Sequence, residues 1–146
     1  EQSGLMLAGG WLTVQRIITN LRLKECQLVT LGACESGRLS LERGDEHVGL
    51  IQAIMTAGTP TVMSSLWSVN DRSTRALFEA FYAHIAQGKP PAIALREATA
   101  QLRQHVEWQH PYYWAPFGVS GLAHGPVRSS SGTNRQKNHV QNRHWL

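Results

Sequence analysis

Short unbroken apolar runs and longer runs of three- and four-residue apolar spacing take turns along this chain. Leu28-Val29-Thr30-Leu31 is apolar or β-branched throughout and opens into Gly32-Ala33-Cys34-Glu35-Ser36-Gly37. A short apolar run bounded by turn residues reads as a strand buried on both faces, as in a parallel sheet. Thr61-Val62-Met63-Ser64-Ser65-Leu66-Trp67 repeats the pattern and ends in Ser68-Val69-Asn70-Asp71. An aromatic-rich run from Tyr112 to Val119 reads as the last strand, near a sheet edge because Pro116 lacks an N–H. Near the start, Leu5-Met6-Leu7-Ala8 reads as a small edge strand closed by Gly9-Gly10.

The helical period fills the gaps. Thr13 caps a short helix to about Asn20, with Val14, Ile17 and Ile18 on one face. Val48 to Ala57 carries Leu50, Ile51, Ile54 and Met55, is stopped by Gly58 and is blocked by Pro60. Asn70 or Asp71 caps a helix to about Gln87, striped by Leu77, Phe78, Phe81, Tyr82 and Ile85. Pro90-Pro91 opens another to about Trp108. Strands separated by helices imply parallel crossovers and an α/β fold. Three clear strands are few for such a sheet, so the sheet is expected to continue in sequence preceding Glu1.

Length and composition narrow this further. The 146 residues suit one domain, and 42% hydrophobic with 16% charged describes an ordinary globular chain. No apolar run reaches the roughly 20 residues of a membrane span, and no signal peptide opens the chain. With 2 cysteines a disulfide framework is not expected, which suits a reducing cytoplasm. The net charge of +4 resides wholly beyond His124, in Arg128, Arg135, Lys137 and Arg143. Residues 122–146 read as a disordered basic tail on a neutral body, 1–121. Its four charges without interleaved aromatics offer nucleic acid only weak, salt-sensitive contact, so no nucleic-acid function is assigned.

Cys34 is the residue placed for chemistry. It stands where the central strand ends, and in open α/β sheets ligands bind at the carboxyl ends of strands. The alternative is a buried structural thiol. Cys26 lies before that strand among charged neighbours and reads as a spectator. The polar loop from Arg38 to His47 would let His47 swing near Cys34. His84 and His105 sit on amphipathic helices as surface or rim residues, and His110 caps or packs. No histidine pairs with cysteines at metal-ligand spacing, so neither metal nor cofactor is expected. Asp71, after the second strand, either faces a substrate groove near Cys34 or serves the next helix cap. Ser36 and Ser40 have no base in step to form a triad.

Five separated stretches carry a family resemblance. Ala33-Cys34-Glu35-Ser36-Gly37, Val48-Gly49-Leu50, Ala57-Gly58-Thr59-Pro60-Thr61-Val62, Ser65 to Asp71 and His110 to Phe117 follow in the same order as in the CHAT domain, and the chain resembles it from about Leu5 to Gly121. CHAT domains are caspase-like, related to separases and commonly attached to tetratricopeptide repeats. The resemblance implies a caspase–haemoglobinase-like sandwich with a mostly parallel sheet and cysteine endopeptidase chemistry on a protein or peptide substrate. Cys34 matches the nucleophile.

In that family the base is a histidine on an earlier strand, followed by a glycine whose N–H helps bind the oxyanion. No histidine precedes His47 here. A thiol of pKa about 8.5 is only a few per cent thiolate at neutral pH without such a base. The expectation is the C-terminal portion of a peptidase domain with its N-terminal part missing, inactive alone. The alternative is a catalytically silent interaction module serving a tetratricopeptide-repeat region or partner.

Overall fold

The computed structural model describes residues 4–7, 10–32 and 44–127. At its centre is a strand, β4 (Thr61–Ser65), every residue of which is buried. It pairs in parallel with β3 (Val29–Thr30), Val29 facing Val62 and Thr30 facing Met63. On its other side it pairs antiparallel with β5 (Phe117–Gly121), from Ser65 against Phe117 to Thr61 against Gly121. A separate hairpin, β1 (Gly4–Leu7) and β2 (Gly10–Thr13), opens the chain.

Alternate residues of β4 point to opposite faces, and each face has its own core. Val62 joins Ile17, Leu50, Ala53 and Ile54 from α1 (Val14–Asn20) and α2 (Gly44–Thr56), and Ala57 just past α2. Met63 joins Leu77 and Phe81 from α3 (Asp71–Ala86) and Ala94, Ala98 and Leu102 from α4 (Pro91–Leu102). The result is a mixed α/β arrangement with helices on both faces of the sheet. Among the described residues, no helix is long and apolar enough to cross a membrane.

Local rules explain most element ends. Thr13 accepts the Arg16 N–H at 3.2 Å to cap α1, and Asn70 accepts the Arg72 N–H at 2.9 Å to cap α3. The choice between Asn70 and Asp71 thus goes to Asn70, and Asp71 becomes the first helical residue.

Four expectations need correction. The Tyr112–Tyr113 segment is a 3-10 turn (Pro111–Tyr113), not strand: Pro111 fixes the backbone and His110 Nδ1 accepts the Tyr112 N–H at 3.2 Å. The last strand is antiparallel, because the chain returns to the sheet at the carboxyl end of β4 and can only run back along it. The helix expected to reach Trp108 ends at Leu102, where i→i+3 bonds from Gln104 and His105 tighten the last turn. Conversely, α2 begins at Gly44 rather than Val48, so His47 stands on a helix and not in a loop.

Past Gly121 the chain stays bonded to the body for two more residues. Leu122 donates its N–H to Pro60 O at 2.9 Å, Thr61 Oγ1 donates to Leu122 O at 2.9 Å, and Ala92 donates its N–H to Ala123 O at 3.0 Å. Gly121 has φ +94°, and a Cβ there would lie 2.2 Å from Pro60 O. Residues 128–146 of the basic tail lie outside the described residues.

These positions yield two mutational expectations. Phe81, wholly buried between the sheet and α4, should cost about 3–5 kcal/mol when replaced by alanine. Gly121→Ala should cost more than about 1 kcal/mol despite adding a single methyl, since neither its backbone angle nor the space admits it. Urea unfolding of both variants beside a Gly125→Ala control checks this, because a Cβ at Gly125 meets nothing within 4 Å.

Candidate functional site

The carboxyl ends of β3 and β4 lie side by side, and the described chain leaves β3 through Leu31 and Gly32. Leu31 continues the ladder by donating its N–H to Met63 O at 2.8 Å. Two aromatic rings of α3 hold β3 from below. A Cβ on Gly32 would meet Phe78 Cε2 at 3.4 Å, and Tyr82 Oη lies 2.6 Å from Thr30 Oγ1. Cys34, two residues on from Gly32, lies outside the described residues, as do Ser36 and Ser40.

His47, in the first turn of α2, comes over the sheet from the opposite face. Its Nε2 lies 3.2 Å from Ser64 Oγ, and Ser64 is buried on β4. The hydroxyl neighbours Leu31 in the parallel register, so the imidazole is held at the level where β3 ends. Helix α2 therefore delivers a histidine to this end of the sheet.

The segment after β4 is clamped open. Ser65 Oγ donates to Trp67 O at 2.6 Å, and Leu66 donates its N–H to Pro116 O at 3.1 Å. Trp67 Nε1 donates to Tyr112 O at 3.2 Å, and Tyr112 Oη donates to Ser68 O at 2.9 Å. These reciprocal bonds spend the polar tips of both aromatics on backbone carbonyls and leave apolar surface facing water. Leu66 is 61% exposed, Trp67 39% and Tyr112 46%. Asp71 follows at the start of α3, exposed, where the helix N-terminus favours its negative charge.

The remaining candidates are spread out. Cys26 is partly buried, and its Sγ donates to Leu28 O at 3.3 Å. His105 is exposed and stacks on Trp108, ring centroids 4.9 Å apart. His84, expected at a surface or rim, is instead only 7% exposed, enclosed between α3 and α4 among polar partners. Sequence reading missed the Trp67–Tyr112 clamp as well. Its signal was there to find: two polar-tipped aromatics, each beside a strand end, in Ser65-Leu66-Trp67-Ser68 and Pro111-Tyr112-Tyr113.

The family comparison falls on this same framework. Residues 1–122 match the model of the CHAT domain. The chain belongs to the CHAT family. It is similar to tetratricopeptide repeat protein 28 from Homo sapiens, with 30% identity over 95 residues, and to that from Mus musculus, with 29% identity over 106 residues. Those stretches cover 65% and 71% of this chain but only 4% of each relative's length. No solved structure matches.

The clamp predicts its own loss. Tyr112→Phe removes the bond to Ser68 O and keeps the ring, so stability should fall by about 0.5–1.5 kcal/mol. Hydrogen exchange at the amides of residues 66–69 should quicken while that of β4 does not. Unchanged exchange in 66–69 would show that the bond does not hold the segment.

Proposed function

We propose that this CHAT chain is the C-terminal part of a caspase-like cysteine endopeptidase domain, of the caspase–haemoglobinase type, with Cys34 as its nucleophile. What supports the reading is the sequence position of Cys34, two residues past Gly32, together with the apolar surface that Leu66, Trp67 and Tyr112 leave exposed beyond the carboxyl end of β4. In this reading the thiolate sulfur attacks the scissile carbonyl, the peptide amine leaves with a proton from a histidine, and water then hydrolyses the thioester. Asp71, exposed beyond the clamp, is the residue proposed to meet a cationic group of the substrate.

The histidine and its neighbouring oxyanion glycine belong to sequence before the nucleophile strand, and residues 1–33 hold no histidine. Removing one oxyanion donor alone costs about 10²–10³ in rate. The chain by itself is therefore proposed to be inactive, working in the cytoplasm joined to, or beside, tetratricopeptide repeats like those that name its relatives. The same absence favours a second reading, in which the domain is a silent module that only binds.

One comparison separates the two. The rate of Cys34 alkylation is followed against pH in this chain and in the chain joined to the segment preceding it, both carrying Cys26→Ser. The first reading predicts at least about tenfold faster alkylation at pH 7 in the longer chain, and peptide cleavage that Cys34→Ala abolishes. Equal profiles and no Cys34-dependent cleavage establish the silent module. Fast alkylation in the short chain would instead make His47 the local base.

A further inference from the structure

The turn between α3 and α4 gathers polar side chains around buried His84, a group that the proposed chemistry does not use. His84, in the last turn of α3, has Nδ1 3.1 Å from Lys89 Nζ and 3.5 Å from Glu97 Oε2. Its Nε2 lies 3.1 Å from the Gln101 side-chain nitrogen, Nε2. Lys89 Nζ also donates to Glu97 Oε2, so one carboxylate oxygen is within reach of two nitrogens that can carry positive charge. Among the described residues, the charged groups in ion-pair range of this cluster are Lys89 from the turn, and Glu97 and Arg96 from α4. Arg96 reaches only Glu97 Oε1, at 3.8 Å, and is itself largely exposed.

Proton counting favours one state of the ring. An ammonium can bond Nδ1 only if that nitrogen keeps its lone pair. Nε2 then bears the proton, and the Gln101 amide accepts it once its nitrogen and oxygen are exchanged, an assignment made from the hydrogen-bond network. The neutral imidazole satisfies every partner. A doubly protonated ring would aim an N–H at an ammonium 3.1 Å away.

We propose that this cluster is an acid-triggered exchange, in which protonation of His84 takes Glu97 Oε2 from Lys89 and releases the Lys89 ammonium to solvent. The ring needs little movement, since Nδ1 already stands 3.5 Å from that oxygen. Lys89 can leave alone because the backbone of the turn is held by other bonds. Gly88 donates to Ile85 O at 2.9 Å and Lys89 N–H to His84 O at 3.2 Å, while Pro90 and Pro91 have fixed φ. Its side chain is one-third exposed and has a way out. Histidine is the side-chain type whose charge changes between pH 5 and 8. Glu97 does not compete in that window: the hydrogen bond from Lys89 holds its carboxyl below the ordinary carboxylate range, so it stays ionised until more acidic pH.

The test follows the Lys89 side chain by ¹H–¹³C NMR in the full 146-residue chain from pH 8 to pH 5. Only Lys24, Lys89 and Lys137 contribute lysine signals. The Lys89 ε-CH₂ resonance should move to the position of a free lysine, sharing its midpoint with the His84 ring signals. Below that midpoint the ratio of held to released Lys89 should fall about tenfold per pH unit. His84→Gln and, separately, Glu97→Gln should abolish the change. A Lys89 signal that stays fixed while His84 titrates overturns the proposal, as does an undiminished change in His84→Gln. Should those variants not fold, ¹⁵N spectra of the unaltered ring at pH 8 decide. A proton on Nε2 supports the exchange, and a proton on Nδ1 overturns it.

Discussion

Everything in this chain is hung on the shielding of β4 from water. A five-residue strand buried throughout, paired along its whole length with β5 and along part of it with β3, must find partners for its backbone polar groups within the protein, so its neighbours matter. Because consecutive side chains leave the strand in opposite directions, Val62 and Met63 seed two different cores only one residue apart. The α1–α2 layer and the α3–α4 layer are therefore coupled through a single backbone. Any displacement of β4 must be felt in both, and at the strand ends where the proposed chemistry lies.

That coupling explains why α3 matters to the site without contributing a reactive group. Phe78 packs beneath Gly32 and Tyr82 grips Thr30, so the exit path of β3 is set by a helix whose other face is packed against α4. The clamp of Trp67 and Tyr112 does the equivalent for the segment leaving β4. Both devices use aromatic rings with hydroxyl or indole tips, which bring apolar bulk and one directed hydrogen bond together. The surface they leave exposed is apolar at a position where a water-facing surface would otherwise favour charge.

The sequence was readable wherever one local rule acted unopposed. Thr13, Gly58 and Pro90-Pro91 marked helix ends because capping and ring closure are properties of the residue itself, and the apolar run through Val62 marked a buried strand. The match over residues 1–122 bears out the family resemblance. What escaped reading depended on partners far along the chain. Tyr112 and Tyr113 have strand-forming side chains, but Pro111 and the His110 ring turn their backbone. His84 looked like a rim residue because nothing in its own helix reveals that Lys89, Glu97 and Gln101 converge on it. A polar residue on a helix shows its burial only once the partners that make burial tolerable are known.

The seam around Gly121 has a mechanical meaning. β5 ends where β4 begins, so tension applied to the chain beyond Val127 would peel β5 from its Gly121 end, rung by rung, rather than shear it along its length. Before the first rung is loaded, the pull meets Leu122 fastened to Pro60 and Thr61, and Ala123 fastened to Ala92 at the head of α4. These bonds work as a strain relief, spreading the load into a helix and a proline turn. A CHAT domain tethered through this end can thus be tugged by its attachment while the sheet that frames its site stays closed.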